Sequence, residues 1–319
     1  MVLFLGVKMI LEIIDDGAYI TRDHESFLIK TKDKKLTIPA KKIDSINIIA
    51  NAAVSTSMIR LCLENEINLV ISKRNGYPEG RFWYPTLGKN STIRRKQYLN
   101  VDTYFGVKVS NELVRLKIKG QYKIAYQIWK NRKNKRNNIN RYLKVLKSTI
   151  KTLKENQLIK KDKLLGIEGA AASAYFNIFK VAIPKKLEFL HRDQIAKDPI
   201  NVVLNYLYGI CYREIESSII ITGLDPNSGF YHKDRYGEPT LTFDLIEVFR
   251  PLIDNLVLYM ISKNIIKEKW FDRDYEIISL TNEARKTLID QYYKKLHKQI
   301  KKNSIKLCYQ IINDLYETK

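Results

Sequence analysis

The hydrophobic period of this chain changes once, near residue 88, and that change limits what it can fold into. Over residues 11–14, 18–21, 26–31, 35–39 and 43–49 apolar side chains alternate with polar ones, the period of two expected of half-buried strands. Asp15-Asp-Gly17 and the charged run after Thr31 read as hairpin turns. One helix is expected over 55–66, and residues 67–71, Asn75-Gly76 and 80–84 read as a closing hairpin. Beyond Pro85-Thr-Leu-Gly88 the apolar spacing becomes 3.6 residues, through 91–134, 138–159, 165–180, 198–222, 243–263 and 280–316. The expected architecture is α+β: a small β-rich N-terminal domain over 1–88 followed by a larger all-α domain over 89–319. A chain of 319 residues is long enough for two cores, because one domain averages about 150 residues.

Charge narrows the partners. Lys and Arg number 56 against 34 Asp and Glu, a formal +22, which points to a nucleic acid or an anionic membrane surface. A genome biased toward lysine codons would raise the total too, but the surplus is local: residues 89–163 hold 22 Lys or Arg and 4 Asp or Glu. At the centre of that stretch lies Lys130-Asn-Arg-Lys-Asn-Lys-Arg136, with Tyr122, Tyr126, Trp129 and Tyr142 around it. Aromatics among cations can stack on bases; at helical spacing they also form an ordinary apolar stripe.

The cysteines, Cys62, Cys211 and Cys308, are scattered, with no CxxC, which argues for a reducing compartment and against a disulfide framework or structural zinc. Residues 1–14 are apolar but lack a basic start and a small-residue cleavage site, so they read as strands. No stretch approaches the ~18 apolar residues of a membrane span. A soluble, cytoplasmic protein with no membrane partner is expected.

A few residues could carry chemistry. Glu168 precedes Gly169-Ala-Ala-Ala-Ser-Ala174, whose small side chains would let a neighbour approach and desolvate the carboxylate; a helix-start glutamate or an internal ion pair with arginine is the plainer reading. His232 lies in the glycine-punctuated Gly229-Phe-Tyr-His-Lys-Asp-Arg-Tyr-Gly237, where functional groups tend to sit, although a lone histidine is more often structural. Asp244 and Glu247, three apart, would share a helix face or form a capping box, and Pro251 would bend or restart that helix. Carboxylates with an imidazole can hold a divalent cation.

The joint pattern is more specific than any of its parts. Gly166-Ile-Glu-Gly-Ala-Ala-Ala-Ser-Ala-Tyr-Phe176, Asp198-Pro-Ile-Asn-Val-Val-Leu-Asn-Tyr-Leu-Tyr208, Gly223-Leu-Asp-Pro226, Gly229-Phe-Tyr-His232 and Phe243-Asp-Leu-Ile-Glu-Val-Phe-Arg-Pro251 closely resemble, in order and spacing, the CRISPR-associated adaptation integrases of the Cas1 family. Arg94-Arg-Lys-Gln97 and Lys117-Ile-Lys-Gly-Gln121 resemble that family's inter-domain and early-helix motifs. The resemblance implies a β-rich N-terminal dimerisation domain, a helical catalytic and DNA-binding domain, and Mg²⁺ or Mn²⁺ held by Glu168, His232 and Glu247 with Asp244 as accessory acid. It also implies a homodimer that joins the small partner protein Cas2 and inserts short double-stranded DNA fragments into a CRISPR array. This chain departs from the family pattern at Tyr231, where leucine is usual, at Gly120, which replaces a common asparagine, and in its lysine-rich end after Asp290.

The implied reaction needs no protein nucleophile, in keeping with the lack of a convincing Ser-His-Asp or Cys-His arrangement. The attacking group would be a DNA 3′-hydroxyl in integration and water in cleavage, with a cation offsetting the charge that develops at phosphorus. An imidazole in the donor set suits Mn²⁺, so activity with Mn²⁺ is expected at least to equal that with Mg²⁺. Arg94, Arg95, Lys130, Arg132, Lys133, Lys135, Arg136, Lys233 and Arg235 are the expected DNA-binding residues, contacting phosphates in a salt-sensitive, sequence-tolerant way. Two rival readings are a stand-alone metal-dependent nuclease acting on branched DNA or RNA, and a non-catalytic nucleic-acid scaffold.

Overall fold

The structure is a computed structural model that describes residues 2–5, 8–82, 90–156, 158–233, 235–274 and 277–317. The chain opens with β1 (Val2–Leu5) and β2 (Lys8–Ile13), crosses to β3 (Tyr19–Asp23), β4 (Ser26–Lys30) and β5 (Lys35–Pro39), and returns as β6 (Ile43–Ile48). It crosses again for β7 (Ala53–Val54), forms α1 (Thr56–Glu64), and ends this region with β8 (Asn68–Ser72) and β9 (Pro78–Phe82). One sheet has the order β1-β2-β6-β8-β9, the other β5-β4-β3-β7.

The expected hairpin at Asp15-Asp-Gly17 is corrected: β2 and β3 lie in different sheets, and β2 pairs in parallel with β6, as β6 does with β8. The turn is a corner. Gly17, at φ 77°, donates its N–H to the Asn51 carbonyl at 2.8 Å, and Asp16 accepts the Asn51 N–H at 2.9 Å, joining the two places where the chain changes sheet. The physical reason lies in β2, which is buried on both faces, as strands in parallel pairing commonly are. Met9, Leu11 and Ile13 enter the core between the sheets with Ile20, Phe27 and Ile46, whereas Ile10 and the adjoining Ile14 belong to the core of the helices. Glu12, between them, is buried and accepts hydrogen bonds from Asn47 at 2.6 Å and Tyr293 at 2.9 Å while facing Arg213.

The expected boundary at residue 88, with Trp83 and Tyr84 of the closing hairpin, lies outside the described residues. Then follow α2 (Asn90–Asn100), α3 (Tyr104–Asn131), α4 (Arg136–Glu155), α5 (Lys161–Ala182), α6 (Pro199–Thr222) and α7 (Thr240–Ser262). The single helix expected over 91–134 is broken at 101–103, where Thr103 accepts the Phe105 N–H at 3.2 Å as an N-cap. Gly106 makes this corner possible, since a Cβ there would sit 1.9 Å from the Val101 carbonyl oxygen.

A two-stranded hairpin, β10 (Phe271–Asp274) and β11 (Ile277–Leu280), precedes α8 (Asn282–Tyr292), a π-helical turn (Tyr293–His297) and α9 (Lys298–Glu317). The C-terminal region is therefore mostly helical rather than all helical. The hairpin escapes a reading by apolar period because Phe271-Asp-Arg-Asp274 is largely charged and exposed. No described helix is long and apolar enough to cross a membrane.

Candidate active site

Helices α3, α5 and α7 meet the loop after α6, and that junction collects most of the singled-out residues. α7 runs on through Pro251 to Ser262 instead of restarting there. Gly120 of α3 lies against the proline ring: a Cβ at 120 would be 3.0 Å from Pro251 Cγ. The glycine that departs from the family pattern thus admits α3 close to α7.

Asp244 is not the helix cap that the Asp-x-x-Glu spacing suggested, because α7 begins at Thr240, a full turn earlier. Its buried carboxylate instead accepts the backbone N–H groups of Phe230 at 2.6 Å, Tyr231 at 2.8 Å and His232 at 2.9 Å, and contacts His232 Nδ1 at 2.7 Å. Gly229 permits this, since a Cβ there would stand 2.9 Å from Asp244 Oδ2. The loop is also pinned from α2 and α3. Buried Gln97 donates to the carbonyls of Asp225 and Ser228 at 3.0 and 2.7 Å and accepts the Asp225 N–H at 2.8 Å, and Ser110 donates to the Phe230 carbonyl at 2.8 Å. Burial alone would depress the His232 pKa. The hydrogen bond and charge of Asp244, helped by Glu247 and Glu168, outweigh burial and raise it.

Glu168 and Glu247 face a different environment. Glu168 is well inside α5 rather than at its start, and Gly166 and Gly169 beside it have open space, so the small residues do not serve close approach there. Its Oε1 meets the ammonium of Lys117, and its Oε2 accepts from the Tyr231 hydroxyl at 2.6 Å, so the tyrosine found in place of leucine is tied to this acid. Glu247 meets the same Lys117 ammonium through Oε2 and the Arg250 guanidinium, at 3.0 Å, through Oε1. Burial opposes ionisation of Glu247, yet Arg250 and Lys117 hold its pKa down to about 2. The sequence reading missed Lys117 as part of the site, and with it Arg192 and Arg250. The one signal for Lys117 was its place at the head of Lys117-Ile-Lys-Gly-Gln121.

His232 and Glu247 line a cleft of about 480 Å³, with Arg192, Lys233, Arg235 and Arg250 on its walls. Of the expected DNA-binding residues, Lys233 and Arg235 therefore share the cleft with His232 and Glu247. Lys130, Arg132, Lys133 and Lys135 are exposed at the α3–α4 turn, roughly 20 Å along α3 from Lys117 at the helical rise. Arg136 lies over the Trp129 ring at 4.4 Å and donates to the carbonyls of Trp129 and Lys130, both at 3.3 Å. Tyr122, Tyr126 and Trp129 stack in turn on one another, at 6.2 and 5.4 Å between centroids. Arg95 is exposed on α2, and Arg94 is partly buried there, its Nε without a hydrogen-bond partner.

Among the described residues no three His, Cys, Asp or Glu side chains close on one point as metal ligands. The donor set nevertheless fits a divalent cation. Two carboxylates from different helices already converge on one positive charge, the Lys117 ammonium. With Nδ1 held by Asp244, His232 keeps Nε2 as its available nitrogen, the usual arrangement of a ligating histidine.

Comparison with known proteins gives a consistent answer. Residues 11–294 match the family model of CRISPR associated protein Cas1. The CRISPR-associated endonuclease Cas1 1 of Archaeoglobus fulgidus is 31% identical over 313 residues, spanning 93% of this chain and 90% of that protein. A CRISPR-associated endonuclease Cas1 1 of Thermodesulfovibrio yellowstonii is 31% identical over 256 residues, covering 79% and 78%. Among solved structures, a casposase bound to integration product shares the fold with a TM-score of 0.81 at 20% identity, covering 96% of this chain and 91% of the casposase. A CAS1 protein from Thermotoga maritima does so with 0.77 at 22% identity, covering 95% and 97%. The chain belongs to the Cas1 family of CRISPR-associated proteins, an enzyme family whose named members include endonucleases.

Proposed function

We propose that this chain is a metal-dependent DNA endonuclease and integrase of CRISPR adaptation, inserting short double-stranded fragments into a repeat array by attack of a 3′-hydroxyl on a phosphodiester. The observation that carries this reading is the convergence of Glu168 and Glu247 on one cation position beside an oriented His232. Glu168, His232 and Glu247 would hold Mg²⁺ or Mn²⁺. When bound, such an ion supplies the positive charge that stabilises developing negative charge at phosphorus.

The chain's own groups do the rest. Asp244 is a positioning residue, fixing the 229–232 loop and the imidazole plane. Arg192, Lys233, Arg235 and Arg250 line the cleft and would bind the phosphates that flank the reacting one. The exposed cations at the α3–α4 turn would bind the same duplex farther along. Residues 1–88 are assigned as the dimerisation domain and 89–319 as the catalytic and DNA-binding domain, with a homodimer joining Cas2. The pairing with Cas2 is supported by a solved Cas6-RT-Cas1–Cas2 complex, one chain of which shares the fold with a TM-score of 0.82 at 23% identity, covering 99% of this chain and 36% of that one.

The test is strand transfer of a labelled short duplex into a supercoiled plasmid carrying a repeat, in Mn²⁺, with and without Cas2. Joined product from wild type but not from His232→Ala is the expected result. Cutting without joining would favour the stand-alone nuclease, and DNA binding with neither activity would favour the scaffold.

A further inference from the structure

The acids of the site are already neutralised by the chain itself. Glu168 and Glu247 face Lys117 and Arg250, so the local charge balances with no added ion. We propose that Lys117 is a built-in counter-ion, seated between Glu168 and Glu247 when no divalent cation is bound and withdrawn when one binds, and that it thereby sets the metal affinity of the site. This inference rests on the metal-dependent reading above.

Geometry separates Lys117 from Arg250. The Lys117 ammonium touches both carboxylates, from α5 and from α7, and so stands where a shared cation would stand. It meets one oxygen of each, Oε1 of Glu168 and Oε2 of Glu247. A lysine carries a compact point charge on a flexible four-carbon stem, which can retract without disturbing the helix. The Arg250 guanidinium is fixed on Glu247's other oxygen and over the Tyr208 ring at 5.0 Å, and so stays.

Two carboxylates only 12% and 11% exposed, with no cation between them, repel each other and are poorly solvated, so a site stripped of both metal and lysine is strained. A dication and an ammonium cannot share the position either, because both would contact the same two oxygens. Metal binding therefore includes the cost of moving Lys117, and removing that side chain makes the apo site worse and the metal site better.

The test uses the full chain as wild type, Lys117→Met and Lys117→Arg. Mn²⁺ binding is measured by calorimetry, and thermal unfolding is followed with and without Mn²⁺. Lys117→Met is expected to bind Mn²⁺ at least tenfold more tightly than wild type, to melt lower without metal, and to gain more in melting temperature when Mn²⁺ is added. Lys117→Arg, whose planar guanidinium grips two carboxylates more firmly, is expected to bind Mn²⁺ more weakly than wild type. Equal or weaker Mn²⁺ binding by a folded Lys117→Met would overturn the proposal, as would undiminished binding by Lys117→Arg, which serves alone if the methionine variant does not fold. If neither wild type nor the variants bind Mn²⁺, the metal reading itself fails and takes this inference with it.

Discussion

Asp244 and Glu247 stand one turn apart on α7, and their surroundings differ in kind. Asp244 is satisfied by fixed dipoles, three backbone N–H groups and an imidazole, with nothing left over. Glu247 is satisfied by side-chain cations, Lys117 and Arg250. An acid bound by backbone organises the chain around it, since its partners cannot leave. An acid bound by a lysine can exchange that partner for another cation. The same residue chemistry thus yields an anchor and a ligand, and the environment decides which.

Breaking each side separately tests that contrast. The largest expected effect is on chemistry: Glu247→Gln should lower strand joining by about 10²–10³-fold, the size of losing a group that stabilises developing charge. Gel-shift assays should still show duplex binding by the variant. Asp244→Ala should instead act first on stability, by about 3–5 kcal/mol in chemical denaturation, the range for removing one partner of a buried charged network. An unchanged denaturation curve would mean that Asp244 is no anchor. Gly120→Ala, pressing on Pro251, sets an overpacking cost of about 1–3 kcal/mol against about 1 kcal/mol gained in helix propensity, for a net loss of about 2 kcal/mol or less with the site's residues untouched.

The pH dependence sharpens the same contrast. The folded state raises the His232 pKa above its ordinary 6.5, so its pairing with Asp244 contributes fully below that value and is lost as pH rises through the folded pKa. Glu247, held down to about 2, contributes above its ordinary 4.5 and is lost as pH falls from there toward 2. In chelator-treated protein, an NMR titration of His232 should have its midpoint above 6.5, and Asp244→Asn should bring it down. A midpoint indifferent to that substitution would contradict the anchor. The smallest effect belongs to the distant cations: Lys133→Gln should reduce the slope of log affinity against log salt by about 1 or less and leave stability alone.

Much of this was legible in the sequence because it is local. Strand alternation, the helical period after the β-rich region and the glycine-punctuated stretch around His232 are patterns within a few residues. What escaped depends on partners far along the chain. β2 reads as a hairpin strand until its second apolar face is seen to serve the helices. Asp244 and Glu247 read as a capping box because nothing in that spacing reveals that α7 starts earlier or that the 230–232 backbone folds onto Asp244. Lys117 is 51 positions from Glu168, and no periodicity links them. The aromatics near Lys130 fit an apolar stripe or a stacking surface equally well by sequence. In the structure the ring faces of Tyr122, Tyr126 and Trp129 are turned to one another and to Arg136, which stiffens the α3–α4 corner.

The most direct test of the central claim is an anomalous difference map from a crystal of the full chain soaked in Mn²⁺. One strong peak is expected, bound by Glu168, Glu247 and His232 Nε2, with Asp244 still on Nδ1 and Lys117 moved away. A peak elsewhere, or no peak with Lys117 still seated between the two glutamates at saturating Mn²⁺, would contradict the claim.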